Sequence, residues 1–205
     1  MSNRILKAGL TGGLATGKTH VAGVLARLGC RVLSADELGH QVLLPDGEAY
    51  DDVVREFGPG ILGPERQIDR RLLAAEVFGR PERLEKLNSL VHPHVIHREE
   101  RWLETLAAAE PGAIAIVEAA ILIETGSYRR FDRLILTVCP EETQIRRHMD
   151  RGGDSEAEAR ARLARQMPLQ AKRPYADYVI DTSGSREDTD RQVEDVFRKL
   201  QQDAL

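Results

Sequence analysis

The feature that most constrains the fold is the octet Gly12-Gly13-Leu14-Ala15-Thr16-Gly17-Lys18-Thr19, a Gly-x4-Gly-Lys-Thr pattern. It follows an apolar run, Ile5 to Leu10, that reads as a buried strand. After it Val21, Val24, Leu25 and Leu28 recur at helical spacing until Gly29 closes the helix. A loop of this kind between strand and helix cradles phosphates. Glycines let backbone N–H groups turn onto an anion, Lys18 brings a mobile positive charge, and the Thr19 hydroxyl can ligate Mg²⁺. The helix that starts near Lys18 aims its positive end at the same point. Gly12, Gly13, Ala15, Thr16, Gly17, Lys18 and Thr19 are therefore the first candidate site residues.

Arg31-Val32-Leu33 reads as a second strand ending at Ser34-Ala35-Asp36. Strand, glycine loop, helix and strand together open a parallel α/β sheet. From about 37 to 111 the chain shows helical patterns broken by Pro45, Pro59, Pro64, Pro81 and Pro93, with no convincing strand. This stretch is expected to be a helical lobe for a second substrate. Three more strands are expected: Ala113 to Val117, Leu134 to Cys139, and Tyr178 to Ile180. Pro140-Glu141-Glu142 opens a helix, and Ser155 with Glu158 fits a capping box for another. A charged amphipathic helix carrying Val193, Val196, Phe197 and Leu200 ends the chain. The predicted fold is an α/β P-loop NTPase-type parallel sheet flanked by helices. Its core is about 1–36, 112–140 and 174–205, the substrate lobe 37–111, and a helical lid 141–173.

Asp36 sits at the end of the second strand, where open α/β sheets place ligands. It can accept a hydroxyl proton, position Mg²⁺, or simply cap the helix beginning near Glu37. Glu118 ends the third strand, either as the acid that supports Mg²⁺ or as a solvated strand end. Glu124 reads as an ordinary surface or capping residue. His92-Pro93-His94 and His97 read as a helix break with surface histidines, or as part of the substrate lobe. Arg146, Arg147, Arg151, Arg160, Arg162 and Arg165 form either a solvated charged face or a lid whose arginines reach phosphates. Asp36-Glu37-Leu38-Gly39 spells a GTPase switch motif, but no guanine-reading motif accompanies it.

Aromatic residues make up 4% and the net charge is −4, both against a nucleic-acid partner. No apolar run reaches the ~20 residues of a bilayer span. Cys30 and Cys139 lie in apolar runs and read as small buried residues of a protein in a reducing, cytoplasmic setting.

The motifs in this order resemble the dephospho-coenzyme A kinase family over nearly the whole chain. Leu10-Thr11-Gly12-Gly13 with Gly17-Lys18-Thr19 looks like its phosphate loop, and Ser34-Ala35-Asp36 like its Asp-Ala-Asp strand end. Ile68-Asp69-Arg70-Arg71-Leu72 with Val77-Phe78, and Leu87-Asn88 through His92-Pro93, resemble its middle lobe. Glu118 through Glu124, Gln166-Met167-Pro168 with Lys172, and Ala176 through Ile180 resemble its later segments. The chain departs at Ser34, at His20, at Glu118 and Ala120, and at Thr182, where the family has asparagine. Ala15 stands where the family loop has glycine, so the backbone there is expected to avoid positive φ. The resemblance implies transfer of the ATP γ-phosphate to the 3′-hydroxyl of dephospho-coenzyme A, with Mg²⁺, in a monomer or small homo-oligomer. Lys18 and Thr19 would serve ATP and Mg²⁺, Asp36 the hydroxyl, and Arg147 or Arg151 the phosphates, with Thr11, His92 and Glu118 near the substrate. The rival readings are a shikimate- or nucleoside-monophosphate-type kinase and a nucleotide switch without turnover.

Overall fold

A computed structural model describes residues 4–152 and 155–204. Residues 1–3, 153, 154 and 205, which fall in the predicted core and lid ranges, lie outside it. Five strands form one parallel sheet: β1 (Leu6–Gly12), β2 (Arg31–Ser34), β3 (Ile114–Glu118), β4 (Arg133–Val138) and β5 (Tyr178–Asp181), in the order β2-β3-β1-β4-β5. The central strand β1 pairs with β3 and β4, with Leu10 opposite Glu118 and Ile135. Both of its faces are covered, which is why the run from Leu6 to Leu10 is apolar with little alternation.

The helices are α1 (Lys18–Arg27), α2 (Ala35–Gln41), α3 (Tyr50–Phe57), α4 (Arg70–Val77), α5 (Pro81–Ala109), α6 (Glu141–Gly152), α7 (Glu156–Leu163), α8 (Leu169–Lys172) and α9 (Arg186–Asp203). The chain divides into two compact units. The sheet unit is Met1–Ser34 with Glu104–Leu205, and the helical unit is Ala35–Leu103. In the sheet unit, α1 and α9 pack together. Val21, Val24 and Leu25 of α1 join Val193, Val196 and Leu200 of α9 in a core with Leu10, Ile116 and Ile135. Gly29 takes φ 106 behind α1, a left-handed value that ends the helix cheaply only for glycine. Ser155 and Glu158 form both bonds of a capping box, and α7 packs back on α6. There Arg160 pairs with Glu141, Glu142 and Glu156, so this arginine clamps the two helices to each other.

The helical unit has no strand among the described residues, only one isolated bridge between Leu62 and Ile68. Asp69 caps α4 by accepting the Arg71 and Leu72 N–H groups. Two expectations are corrected here. The helix after β2 begins at Ala35, so Asp36 lies inside its first turn, not ahead of it as a cap. Pro93 does not break its helix: α5 runs from Pro81 to Ala109 with Pro93 inside. Proline removes one N–H and crowds one carbonyl. In a helix of 29 residues, that local cost is carried by the packing of Val95, Leu103 and Leu106. Among the described residues no helix is long and apolar enough to cross a membrane.

Candidate active site

The chain leaves the centre of the sheet at Gly12 and turns through the loop into α1. A Cβ on Gly12 would stand 2.2 Å from Thr137 Oγ1 and 2.4 Å from Thr16 Oγ1, and one on Gly13 would stand 2.6 Å from Gln144 Oε1. Gly12 has no room for a side chain, whereas at Gly13 the obstruction is the end of the Gln144 side chain. Gly17 has φ 82 and caps α1. Ala15 has φ 50, which overturns the expectation that alanine keeps this position out of the left-handed region. The loop must turn there whichever residue occupies it, and alanine is the smallest side chain that can bear the strain.

Hydroxyl groups hold the loop from below. Thr16 is fully buried, donates to the Gly13 carbonyl and lies 2.8 Å from Thr137 Oγ1. Thr182 donates to the Thr16 carbonyl at 3.0 Å. The Leu14 N–H is taken by Gln166 Oε1 at 2.8 Å, and Lys18 Nζ reaches the Gly13 carbonyl at 2.9 Å. The Thr19 hydroxyl donates to Glu118 Oε1 at 3.4 Å, so β3 and α1 bring a hydroxyl and a carboxylate together at the loop's end. Two hard oxygen ligands leaving room for phosphate and water suit Mg²⁺. Among the described residues no group of three His, Cys, Asp or Glu could hold a metal by itself.

Beside Gly17 lies a cavity of about 270 Å³, lined by His20, Arg147, Arg151, Thr182 and Gly184 among others. Arg147 donates to both the hydroxyl and the carbonyl of Thr182, at 3.1 and 2.7 Å. A chain of bonds therefore runs from α6 through Thr182 to the loop carbonyl of Thr16. The Thr182 hydroxyl is engaged with main chain and Arg147.

The dephospho-CoA kinase family model matches residues 6–188. The dephospho-CoA kinase of Geobacillus kaustophilus is 40% identical over 201 residues, covering 98% of each chain. That of Aquifex aeolicus is 40% identical over 197 residues, 96% of this chain and 98% of its own. The chain belongs to the dephospho-CoA kinase family. Among solved structures it is similar to TT1252 from Thermus thermophilus, at TM-score 0.79 and 34% identity over 96% of this chain and 98% of the other. The fold also matches the dephospho-CoA kinase from Campylobacter jejuni, at TM-score 0.63 and 23% identity over 96% and 97% of the two chains.

Within this dephospho-CoA kinase family chain the structure brings the loop, Glu118, Arg147 and Arg151 into one unit. Thr11 is buried there, its hydroxyl donating to the Ala120 carbonyl. Asp36 and His92 belong to the helical unit. Asp36 is exposed in the first turn of α2, one of two acids at the positive end of that helix. His92 is half-buried, and burial holds its imidazole below the ordinary histidine value.

Sequence reasoning missed Thr137, gave Gln166 no role, and above all did not join Lys172 to Glu124, whose Nζ and Oε1 lie 2.8 Å apart with Lys172 fully buried. Glu124 is therefore no ordinary surface acid. The available signal was Lys172 itself, a cation four residues past Gln166-Met167-Pro168 and six before the start of β5. Its charged partner lies in a remote segment, which local pattern cannot join to it.

Proposed function

We propose that this chain transfers the terminal phosphate of ATP to the 3′-hydroxyl of dephospho-coenzyme A, giving coenzyme A and ADP. The observation that carries the reading is an intact phosphate loop, with Thr19 on Glu118, inside a chain that matches the dephospho-CoA kinase family from residue 6 to residue 188. The loop N–H groups and the α1 N-terminus hold the nucleotide phosphates, and Lys18 follows the transferring group. Thr19 and Glu118 would hold Mg²⁺, which spreads the charge of the phosphate oxygens. Asp36 orients the acceptor hydroxyl and takes its proton as the oxygen forms the new bond to phosphorus and ADP departs. Arg147 and Arg151, on a lid of α6 and α7, neutralise phosphate charge; the helical unit, with His92, holds the acceptor. The setting is cytoplasmic, and the partners are small molecules.

Incubation with MgATP and a panel of hydroxyl acceptors tests this reading. ADP should form with dephospho-coenzyme A, and phosphorus NMR should place the new phosphate on the 3′-oxygen. Faster turnover of shikimate or a nucleoside monophosphate would replace the proposed acceptor. ADP at only the rate of water hydrolysis with every acceptor would remove the kinase reading.

A further inference from the structure

Lys172 is fully buried, a rare place for a lysine. Its ammonium has three N–H donors, and three partners receive them. They are Glu124 Oε1 at 2.8 Å, the Ala120 carbonyl at 3.0 Å and the Gly12 carbonyl at 3.2 Å. The same Glu124 oxygen accepts the Met167 N–H at 3.1 Å. Ala120 lies two residues past Glu118, and Gly12 is the last residue of β1 before the loop turns. One charge therefore joins the segment that carries Glu118 to the segment that becomes the phosphate loop. A few residues earlier, Gln166 takes the Leu14 N–H, so the chain from Gln166 to Lys172 grips the loop at its start and at its turn.

This is an expensive way to achieve stability alone. Burying an ion pair costs desolvation on both sides, and hydrocarbon of similar volume is often as stable or more so. What hydrocarbon cannot do is set directions. The loop receives an anion only while its N–H groups face inward. Lys172 holds the Gly12 carbonyl and ties it to the chain leaving β3. Building on the kinase reading above, we propose that Lys172, with Glu124, is a positioning residue for phosphoryl transfer: it fixes the phosphate loop against the segment that carries Glu118.

The test replaces the pair by hydrocarbon, Lys172→Met with Glu124→Leu, beside Lys172→Met alone. Melting temperature, kcat and KM are measured, and the dissociation constant of ATP is measured by calorimetry without turnover. The double variant should melt near the wild-type temperature, yet kcat should fall on the order of 10- to 100-fold, the penalty of a small misplacement of reacting groups. The ATP dissociation constant should rise, while KM for the acceptor stays close to wild type. A folded double variant with wild-type kcat and ATP affinity overturns the proposal. Should the double variant not fold, Lys172→Met is assayed per folded molecule, and normal kcat there overturns it equally. Failure of both to fold makes the pair a stability element and also overturns it. The wild-type protein run alongside separates this from the function itself. Absence of ADP in that control refutes the kinase reading, whereas active wild type with equally active variants refutes only the role of Lys172.

Discussion

Replacing Gly12 by alanine adds one methyl group where the molecule has no room for it. Gly12 is an ordinary strand residue without positive φ, so the effect is one of space alone. The new carbon would meet Thr137 Oγ1 at 2.2 Å, Thr16 Oγ1 at 2.4 Å and the Thr137 carbonyl oxygen at 2.9 Å. The two hydroxyls can rotate away only by giving up their bonds to each other and to the loop, which leaves buried polar groups unsatisfied at about 1–3 kcal/mol. The carbonyl belongs to β4 and moves only with the strand, and overpacking of this kind costs about 1–3 kcal/mol. The sum is about 2–6 kcal/mol, a large part of a total stability of about 5–15 kcal/mol. For a chain of this size 1 kcal/mol corresponds to about 2–4 °C, so the melting temperature should fall by roughly 4–24 °C in differential scanning calorimetry. ATP should restore part of the loss if it still binds, by mass action. A Gly12→Ala protein melting within 1–2 °C of wild type, on the order of calorimetric error for such a shift, would refute the argument that the loop is shaped by lack of space.

Gly23→Ala makes the opposite case. Gly23 lies inside α1, and its added carbon would meet only Arg27 Nη1 at 3.9 Å, so stability should rise by about 1 kcal/mol in the same calorimetry. Lys18→Ala should lower kcat on the order of 10²-fold with the circular dichroism spectrum unchanged. Near-normal turnover would take Lys18 out of the mechanism. Asp36→Asn should lower kcat by about 10²–10⁴-fold while ATP affinity and melting temperature hold. Normal kcat would move the search for the base to Glu118. Burial pushes the Cys30 thiol up to about 12 from an ordinary 9.0. The stability due to keeping that thiol neutral is complete below pH 9 and is lost as pH rises toward 12. Iodoacetamide at pH 8 should therefore label Cys30 at the rate of unfolding, and fast labelling of native protein would contradict its burial.

The loop, the five strands and the closing helix were legible because each is a local pattern: an apolar run, a glycine pair, a 3.6-residue period. Gly29 and the Ser155 box were legible for the same reason. Ala15 was misread because its φ is imposed by the loop's path between Gly13 and Gly17, which overrides the preference of alanine. Pro93 was misread because a break is the local expectation, whereas buried side chains farther along α5 keep the helix continuous. The Lys172–Glu124 pair and the Thr16–Thr137 contact join segments distant in the sequence. No spacing rule links their partners, and a lone lysine or threonine carries no mark of what it will touch.

The position of β1 at the centre of the sheet also governs how the protein is made. Its partners are residues 114–118 and 133–138, and both leave the ribosome long after residues 6–12. At about 5–20 residues per second the first strand waits on the order of 10 seconds with both edges unpaired. The helical unit, complete by Leu103, is synthesised within that wait, ahead of either neighbour of β1. During synthesis the central strand of the sheet is thus the one exposed longest. A trigger for misassembly would act in this interval, and substitutions that slow translation between residues 13 and 114 would reveal it as aggregation of a protein whose finished form is unchanged.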